Sequence, residues 1–247
     1  MTIAIAAHAK LNLNLQVLGR RADGLHEISS LFQAISLHDL LIAERTPLTE
    51  LEGGQPDDLV LRAQRALELA VGRKLPARMR LVKRIPVGAG LGGGSSDAAA
   101  ALRALSRLYG LDEDLRPIAG RLGADVPFFL LGGTVAASGT GDRLVAMPQP
   151  SGCYAVAWPG FSVSTAEVYS AWDRLGGEGD NHLSRAATAV EPRLEEFVRR
   201  LPGWRMTGSG TAFFKPCQDV AEAERAIRSL GCWTAVARPV PAWGTAA

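Results

Sequence analysis

Residues 86–99 read Pro-Val-Gly-Ala-Gly-Leu-Gly-Gly-Gly-Ser-Ser-Asp-Ala-Ala, with five glycines between positions 88 and 94. A glycine costs a helix interior about 1 kcal/mol relative to alanine, so so dense a run is not helical by preference. Glycine admits positive φ and lets another group approach the backbone closely. Successive N–H groups in such a run can turn toward one anion and form a nest. The run feeds an alanine-rich segment that reads as a helix from Asp97 to about Tyr109, with Leu102, Leu105 and Leu108 on its buried side. The positive end of that helix falls at the same place. A phosphate-rich ligand held along Pro86, Val87, Gly88, Ala89, Gly90, Leu91, Gly92, Gly93, Gly94, Ser95 and Ser96 is therefore expected. A flexible linker is the alternative, and the strand-and-Pro lead-in and strongly helical follower speak against it.

Two common phosphate motifs do not fit. A Walker A loop ends in GKS or GKT, whereas Gly94 is followed by Ser95-Ser96 with no Lys. Gly88-x-Gly90-x-x-Gly93 mimics a dinucleotide fingerprint, but the acidic residues about 20 positions on, Asp112–Asp114, follow a helix and not a strand.

Outward from the loop, the chain alternates strand and helix signals. Thr2–Ala7 and Leu11–Leu18 read as two short strands, the second with Leu11, Leu13, Leu15 and Val17 on one face and Asn12, Asn14 and Gln16 on the other. Asp23-Gly24 marks a turn, Glu27–Leu41 a strand region divided near Ser36, and Thr46–Asp57 a loop with Gly53, Gly54 and Pro56. Helical spacing covers Asp58–Val71, Leu115–Leu122, Thr165–Leu175, Arg193–Leu201 and Val220–Leu230; strands are expected at Arg78–Ile85, Pro127–Val135, Ala155–Trp158 and Thr234–Pro239. A Pro/Gly/Ser break at Pro148–Gly152 divides the chain into residues 1–149 and 150–247. The interleaving beyond it suggests a split βαβ sandwich, and Pro241–Ala247 reads as a frayed tail.

Composition narrows the class. With 247 residues, 47% hydrophobic and 21% charged, the chain can bury a substantial core and is not intrinsically disordered. A net charge of +2 and no aromatic stacking platform weigh against a nucleic-acid binder. Cys153, Cys217 and Cys232 include no CxxC pair, which disfavours a disulfide framework or zinc site and suits a reducing, cytoplasmic setting. No apolar run reaches the roughly 20 residues a membrane helix needs, and the N-terminus lacks a signal-peptide pattern.

The glycine segment resembles the phosphate-binding motif of the GHMP kinases. Ala9-Lys-Leu-Asn-Leu-Asn-Leu, Asp23-Gly-Leu-His-Glu and Leu122-Gly-Ala-Asp-Val-Pro-Phe-Phe narrow the likeness to that family's 4-diphosphocytidyl-2-C-methyl-D-erythritol kinases, and Thr207-Gly-Ser-Gly-Thr-Ala-Phe resembles their C-terminal glycine motif. The likeness spans about residues 6–238. It implies an α+β, two-domain fold: an N-terminal ribosomal-protein-like domain with a left-handed βαβ unit, unusual against the right-handed rule, and a ferredoxin-like C-terminal domain, with the active site in the cleft between them. It also implies transfer of a phosphoryl group from ATP, with Mg²⁺, to the 2-hydroxyl of 4-diphosphocytidyl-2-C-methyl-D-erythritol, in the non-mevalonate route to isopentenyl diphosphate. The expected partners are these two small molecules, with no nucleic acid and no membrane, in a monomer or weak homodimer.

Site roles follow residue by residue from the same likeness. Lys10, a lysine inside an apolar strand, is either solvent-facing or functional by its own pattern; the likeness places it at the reacting hydroxyl. Asp125, by itself a common turn residue, becomes the base that takes the hydroxyl proton. Asn12 would share the Lys10 face and touch the erythritol part, and His26 would hydrogen-bond cytosine. Relatives commonly carry an aromatic residue where this chain has Leu25, which weakens stacking on the base; Tyr169 would form the opposite wall. Asp58 stands where relatives often carry Asn near the adenine or ribose. Ser95 and Ser96 would touch phosphate, with Ser96 a ligand to the metal, and Gly208, Ser209 and Gly210 would form a second small-residue loop at the cleft or, more plainly, a tight turn. Lys83 and Arg84 are either near the nucleotide or solvated. A homoserine- or phosphomevalonate-type kinase, a non-catalytic nucleotide sensor and a nucleic-acid module are the rivals; the His26 segment, the retained Lys10 and Asp125, and the charge balance weigh against each in turn.

Overall fold

The computed structural model describes residues 1–55 and 57–243; Pro56 of the expected loop and residues 244–247 of the tail lie outside the described residues. The chain builds two antiparallel-dominated sheets, each covered by helices.

The first sheet holds β1 (Thr2–Arg20), β2 (His26–Arg45), β3 (Glu50–Glu52), β4 (Ala77–Val82), β5 (Thr134–Gly139) and β6 (Arg143–Met147). Its order is β3-β4-β2-β5-β6, with β1 hairpinned along β2. Helix α1 (Leu59–Val71) joins β3 to the parallel strand β4. Helices α2 (Gly93–Tyr109), α3 (Leu115–Leu122) and α4 (Val126–Leu131) complete the layer, α2 lying against β1, β2, α1 and α4. Its alanines, Ala98 to Ala101 and Ala104, are buried, which lets neighbouring elements approach its axis closely.

The second sheet contains β7 (Cys153–Trp158), β8 (Arg205–Met206), β9 (Phe213–Cys217) and β10 (Trp233–Ala237). Helices α5 (Thr165–Leu175), α6 (Ser184–Val190) and α7 (Arg193–Arg199) lie between β7 and β8, and α8 (Val220–Ile227) between β9 and β10. The order β10-β7-β9-β8, with every neighbour antiparallel, is the β-α-β-β-α-β arrangement of a ferredoxin-like fold.

Several expectations need correction. The N-terminal strands are one strand, and β2 is likewise continuous through Ser36. Register shifts fall between His8 and Ala9 and between Asn12 and Asn14. Such irregularities rotate the side-chain alternation. Ile5, Ala7, Leu15 and Val17 accordingly pack into the larger core, while Ala9, Leu11 and Leu13 pack with Tyr154, Val156 and Phe214. The four apolar residues from Leu11 to Val17 therefore do not share one face. Residues Val126–Leu131 form a helix with Pro127 in its first turn, and the strand starts only at Thr134, because Gly132 and Gly133 take positive φ and break the run. Helix α2 starts at Gly93, four residues before the expected point. The short elements β3, β6 and α6 had no decisive periodicity. The tail is docked as far as Trp243: Pro239 bridges Ile35, Ala242 bridges Gly132, and the Trp243 indole N–H donates to the Phe129 carbonyl at 2.7 Å. Among the described residues no helix is long and apolar enough to cross a membrane.

Candidate active site

A cavity of about 1020 Å³ runs between the two sheets. Its floor is the middle of β1. The register shifts on either side of residues 9–13 turn Ala9 and Leu11 into the second core and leave Lys10 and Asn12 facing the cavity. Lys10 is only 5% exposed, yet its ammonium lies 3.2 Å from Asp125 Oδ2, donates to Asn12 Oδ1 at 2.7 Å and sits 4.6 Å from the centre of the Phe32 ring. Asn12 donates in turn to Ser30 Oγ at 2.9 Å, so its amide is oriented from both ends. Asp125 precedes the first turn of α4, but its side chain makes no capping bond there. Its carboxylate is left to Lys10 and the cavity.

The glycine segment forms one wall. Gly88, Gly90 and Gly92 all have positive φ, between 72° and 80°. Their missing side chains are required by space as well. A Cβ on Gly90 would lie 2.7 Å from the Gly210 carbonyl oxygen, and one on Gly92 would lie 2.7 Å from Phe129 Cζ and 3.0 Å from Lys10 Cγ. From Gly92, the chain enters α2, a helix of 17 residues whose first-turn N–H groups and dipole point toward this wall. The second glycine loop interlocks with the first: the Ala212 N–H donates to the Ala89 carbonyl at 2.9 Å, and Asn12 N–H donates to Thr207 Oγ1 at 2.8 Å. Asn181 ties the same loop down through the Met206 and Gly208 carbonyls. Gly208 and Ser209 line the cavity; Gly210 instead packs its carbonyl against Gly90.

At the open end, Leu25 projects from the Asp23-Gly24 turn and is 55% exposed. His26 stacks on Tyr169, with ring centres 4.6 Å apart. Burial pushes the Tyr169 phenol up to about 12, so it is a neutral wall. At the far end, Asp58 caps α1 by accepting from the Val60 N–H at 3.0 Å. Lys83 lines the cavity, held between two buried carboxylates, Asp39 at 2.5 Å and Asp97 at 2.6 Å, and is not freely solvated. Burial raises the Asp97 carboxyl to about 7 against the attraction of Lys83, and its Oδ1 has no hydrogen-bond partner among the described residues.

The fold thus gathers Lys10, Asn12, Leu25, His26, Asp125, Tyr169 and the glycine segment from Pro86 to Ser95 around one cavity. Ser96 is buried at 3% exposure and does not line it; Ser95 does. Sequence reasoning gave no role to Asp97 and Thr207, although both lie inside the quoted glycine segments, and passed over Asp39, Asn181 and Asp173. These last three are single polar residues without motif spacing, and only long-range pairing gives them a place. Among the described residues, no three His, Cys, Asp or Glu side chains converge to hold a metal ion.

Residues 58–133 match the model of the GHMP kinases N-terminal domain. A 4-diphosphocytidyl-2-C-methyl-D-erythritol kinase of Alkalilimnicola ehrlichii is 40% identical over 249 residues, covering 91% of this chain and 86% of that protein. The chain belongs to the 4-diphosphocytidyl-2-C-methyl-D-erythritol kinase family. A crystal structure of 4-(cytidine 5'-diphospho)-2C-methyl-D-erythritol kinase superimposes with a TM-score of 0.83 at 37% identity, covering 96% of this chain and 99% of that one. A homoserine kinase from Cytophaga hutchinsonii superimposes with a TM-score of 0.71 over 98% of this chain and 95% of its own at 16% identity, a likeness of fold alone. The family membership therefore rests on sequence identity over most of the chain and not on the shared fold.

Proposed function

We propose that this chain transfers the γ-phosphoryl group of ATP to the 2-hydroxyl of 4-diphosphocytidyl-2-C-methyl-D-erythritol, a step of the non-mevalonate route to isopentenyl diphosphate. The observation that carries the reading is the Lys10–Asp125 pair, 3.2 Å apart, on the cavity floor between the glycine wall and the His26 end. ATP supplies the phosphoryl group and its leaving ADP. The glycine segment and the start of α2 offer backbone N–H groups to its phosphates. Asp125 is the acceptor for the proton of the attacking hydroxyl, as the new O–P bond forms and the bond to the β-phosphate oxygen breaks. Lys10 holds its positive charge against the reacting oxygens without reorganising, because Asn12 and Asp125 already fix it. Asn12 orients the erythritol part, and His26 with Tyr169 holds the cytosine against Leu25.

A magnesium ion suits such a site when the nucleotide and water supply most of its shell. The Ser95 hydroxyl on the cavity wall would be one oxygen ligand for it, in place of the buried Ser96. The ion would neutralise phosphate charge. Residues 1–149 and 150–247 are proposed as the two domains.

The test is ADP release with ATP, Mg²⁺ and the cytidyl substrate, set against mevalonate and homoserine, with Asp125→Asn as control. Turnover of the cytidyl substrate alone, lost in the variant, is the expected outcome. Turnover of mevalonate or homoserine in its place would overturn the reading.

A further inference from the structure

His26 is fixed more tightly than a base-facing ring needs for contact alone. Tyr169 stacks on one face, and Trp172 meets the ring at 5.8 Å and 90°. Asp173, on the last turn of α5, brings Oδ1 to 2.7 Å from His26 Nε2, while its Oδ2 lies 3.5 Å from an Arg20 guanidinium nitrogen. Among the described residues, His26 Nδ1 has no hydrogen-bond partner, and the ring lines the cavity.

We infer that Asp173 is a positioning residue that sets the tautomer of His26 and thereby selects cytosine over uracil. This rests on the reading that the open end of the cavity receives the cytidine part of the substrate. An ionised carboxylate can only accept hydrogen bonds, so its Oδ1 demands the proton on Nε2. A neutral imidazole with Nε2–H carries a lone pair on Nδ1. That nitrogen is then an acceptor at the cavity wall. Cytosine offers a 4-amino donor at its edge, whereas uracil offers a 4-oxo acceptor. The first meets the Nδ1 lone pair with a hydrogen bond, and the second meets it with repulsion. This role matters more here because Leu25 gives little stacking, and stacking would not separate the two bases. Arg20, 3.5 Å from the other oxygen of Asp173, helps to orient the carboxylate.

Two measurements decide the matter. The first is the ¹⁵N spectrum of the His26 imidazole in the full-length protein at pH 7.5, assigned with His26→Gln. Nε2–H with a bare Nδ1 is expected; Nδ1–H or an imidazolium overturns the inference, and this readout needs no variant of Asp173. The second is kcat/KM for the cytidyl substrate and its uridyl analogue in wild type and Asp173→Ala. Loss of one charge-assisted hydrogen bond predicts that the cytidyl preference falls about tenfold or more, through KM for the cytidyl substrate. The KM for ATP is expected to stay unchanged. A loss that affects both pyrimidine substrates equally means a merely structural role and overturns the inference. Asp173→Asn, which can present its amide oxygen to Nε2–H, is expected to restore part of the preference. Wild-type protein that turns over neither pyrimidine substrate defeats the functional reading itself, whereas the spectrum reports on the tautomer independently.

Discussion

Replacing Lys10 with methionine separates its charge from its packing. The residue is 5% exposed, with Asn12 Oδ1 at 2.7 Å, Asp125 Oδ2 at 3.2 Å and the Phe32 ring centre at 4.6 Å from its ammonium. Methionine keeps the length and the apolar stem and suits the Phe32 ring. Two stability effects oppose each other. Asn12 Oδ1 loses its donor in a buried place, which costs about 1–3 kcal/mol. The ammonium no longer has to be kept out of water, which relieves a penalty of several kcal/mol that pairing only partly offsets. Asp125 is not stranded, because its side chain is 32% exposed and can reach water. The net change is therefore expected within about 2 kcal/mol, a melting shift of no more than about 8 °C for a chain of this size. The chemical step loses a preorganised cation, and one such group is worth about 10²–10³-fold in kcat. ATP affinity, which the proposed function assigns to the glycine wall, is expected to hold. The assay combines steady-state ADP release, nucleotide titration and thermal melting. A variant with near wild-type kcat would refute the role given to the charge. A collapse in melting temperature well beyond the stated shift would show that the pair is chiefly structural.

Three further outcomes follow from the geometry. Gly90→Ala places a Cβ 2.7 Å and 2.8 Å from the Gly210 and Thr207 carbonyl oxygens at a φ of +80°. A left-handed alanine alone costs about 1–2 kcal/mol, so the variant should melt lower and show a raised KM for ATP; an unchanged KM would contradict the interlocking of the two loops. The Asp97 carboxyl is raised to about 7 in the folded protein, above its ordinary value of 3.8. The folded state then binds more protons than the unfolded state between these values, so this group makes stability fall as pH rises through that window. Asp97→Asn removes the titration, so its melting temperature relative to wild type should rise between pH 4 and pH 8; a flat or falling difference would count against the buried acid. Trp243→Ala removes an indole donor to Phe129 and the ring packed at Gly132. It should destabilise the fold by on the order of 2 kcal/mol, read by denaturant unfolding, and no effect would restore the frayed-tail reading.

The glycine wall was legible from residues 86–97 because its cause is local. A run of glycines ahead of a helix former constrains φ, backbone access and dipole direction within a dozen residues. Helices α3 and α5 were equally plain, since Asp114 and Ser164 accept from first-turn N–H groups and their apolar residues follow the helical period. The four-residue error at the start of α2 arose where packing outweighed propensity. Gly93 is drawn into helix beside Ile85, although glycine alone disfavours it.

The sequence by itself determined which residues stand out: a glycine run ahead of a helix, an isolated lysine in an apolar strand, an aspartate two positions before Pro127 and a histidine after a turn. Tertiary structure alone decided that these meet. Lys10 turns toward Asp125 because register shifts on β1 rotate a short segment of an otherwise regular strand. Asp173 reaches His26 across 147 positions, and Asp39 reaches Lys83 across 44. Local preferences act over a few residues. Buried charges find partners only when the whole chain has excluded water around them, and that condition is not written at any one position.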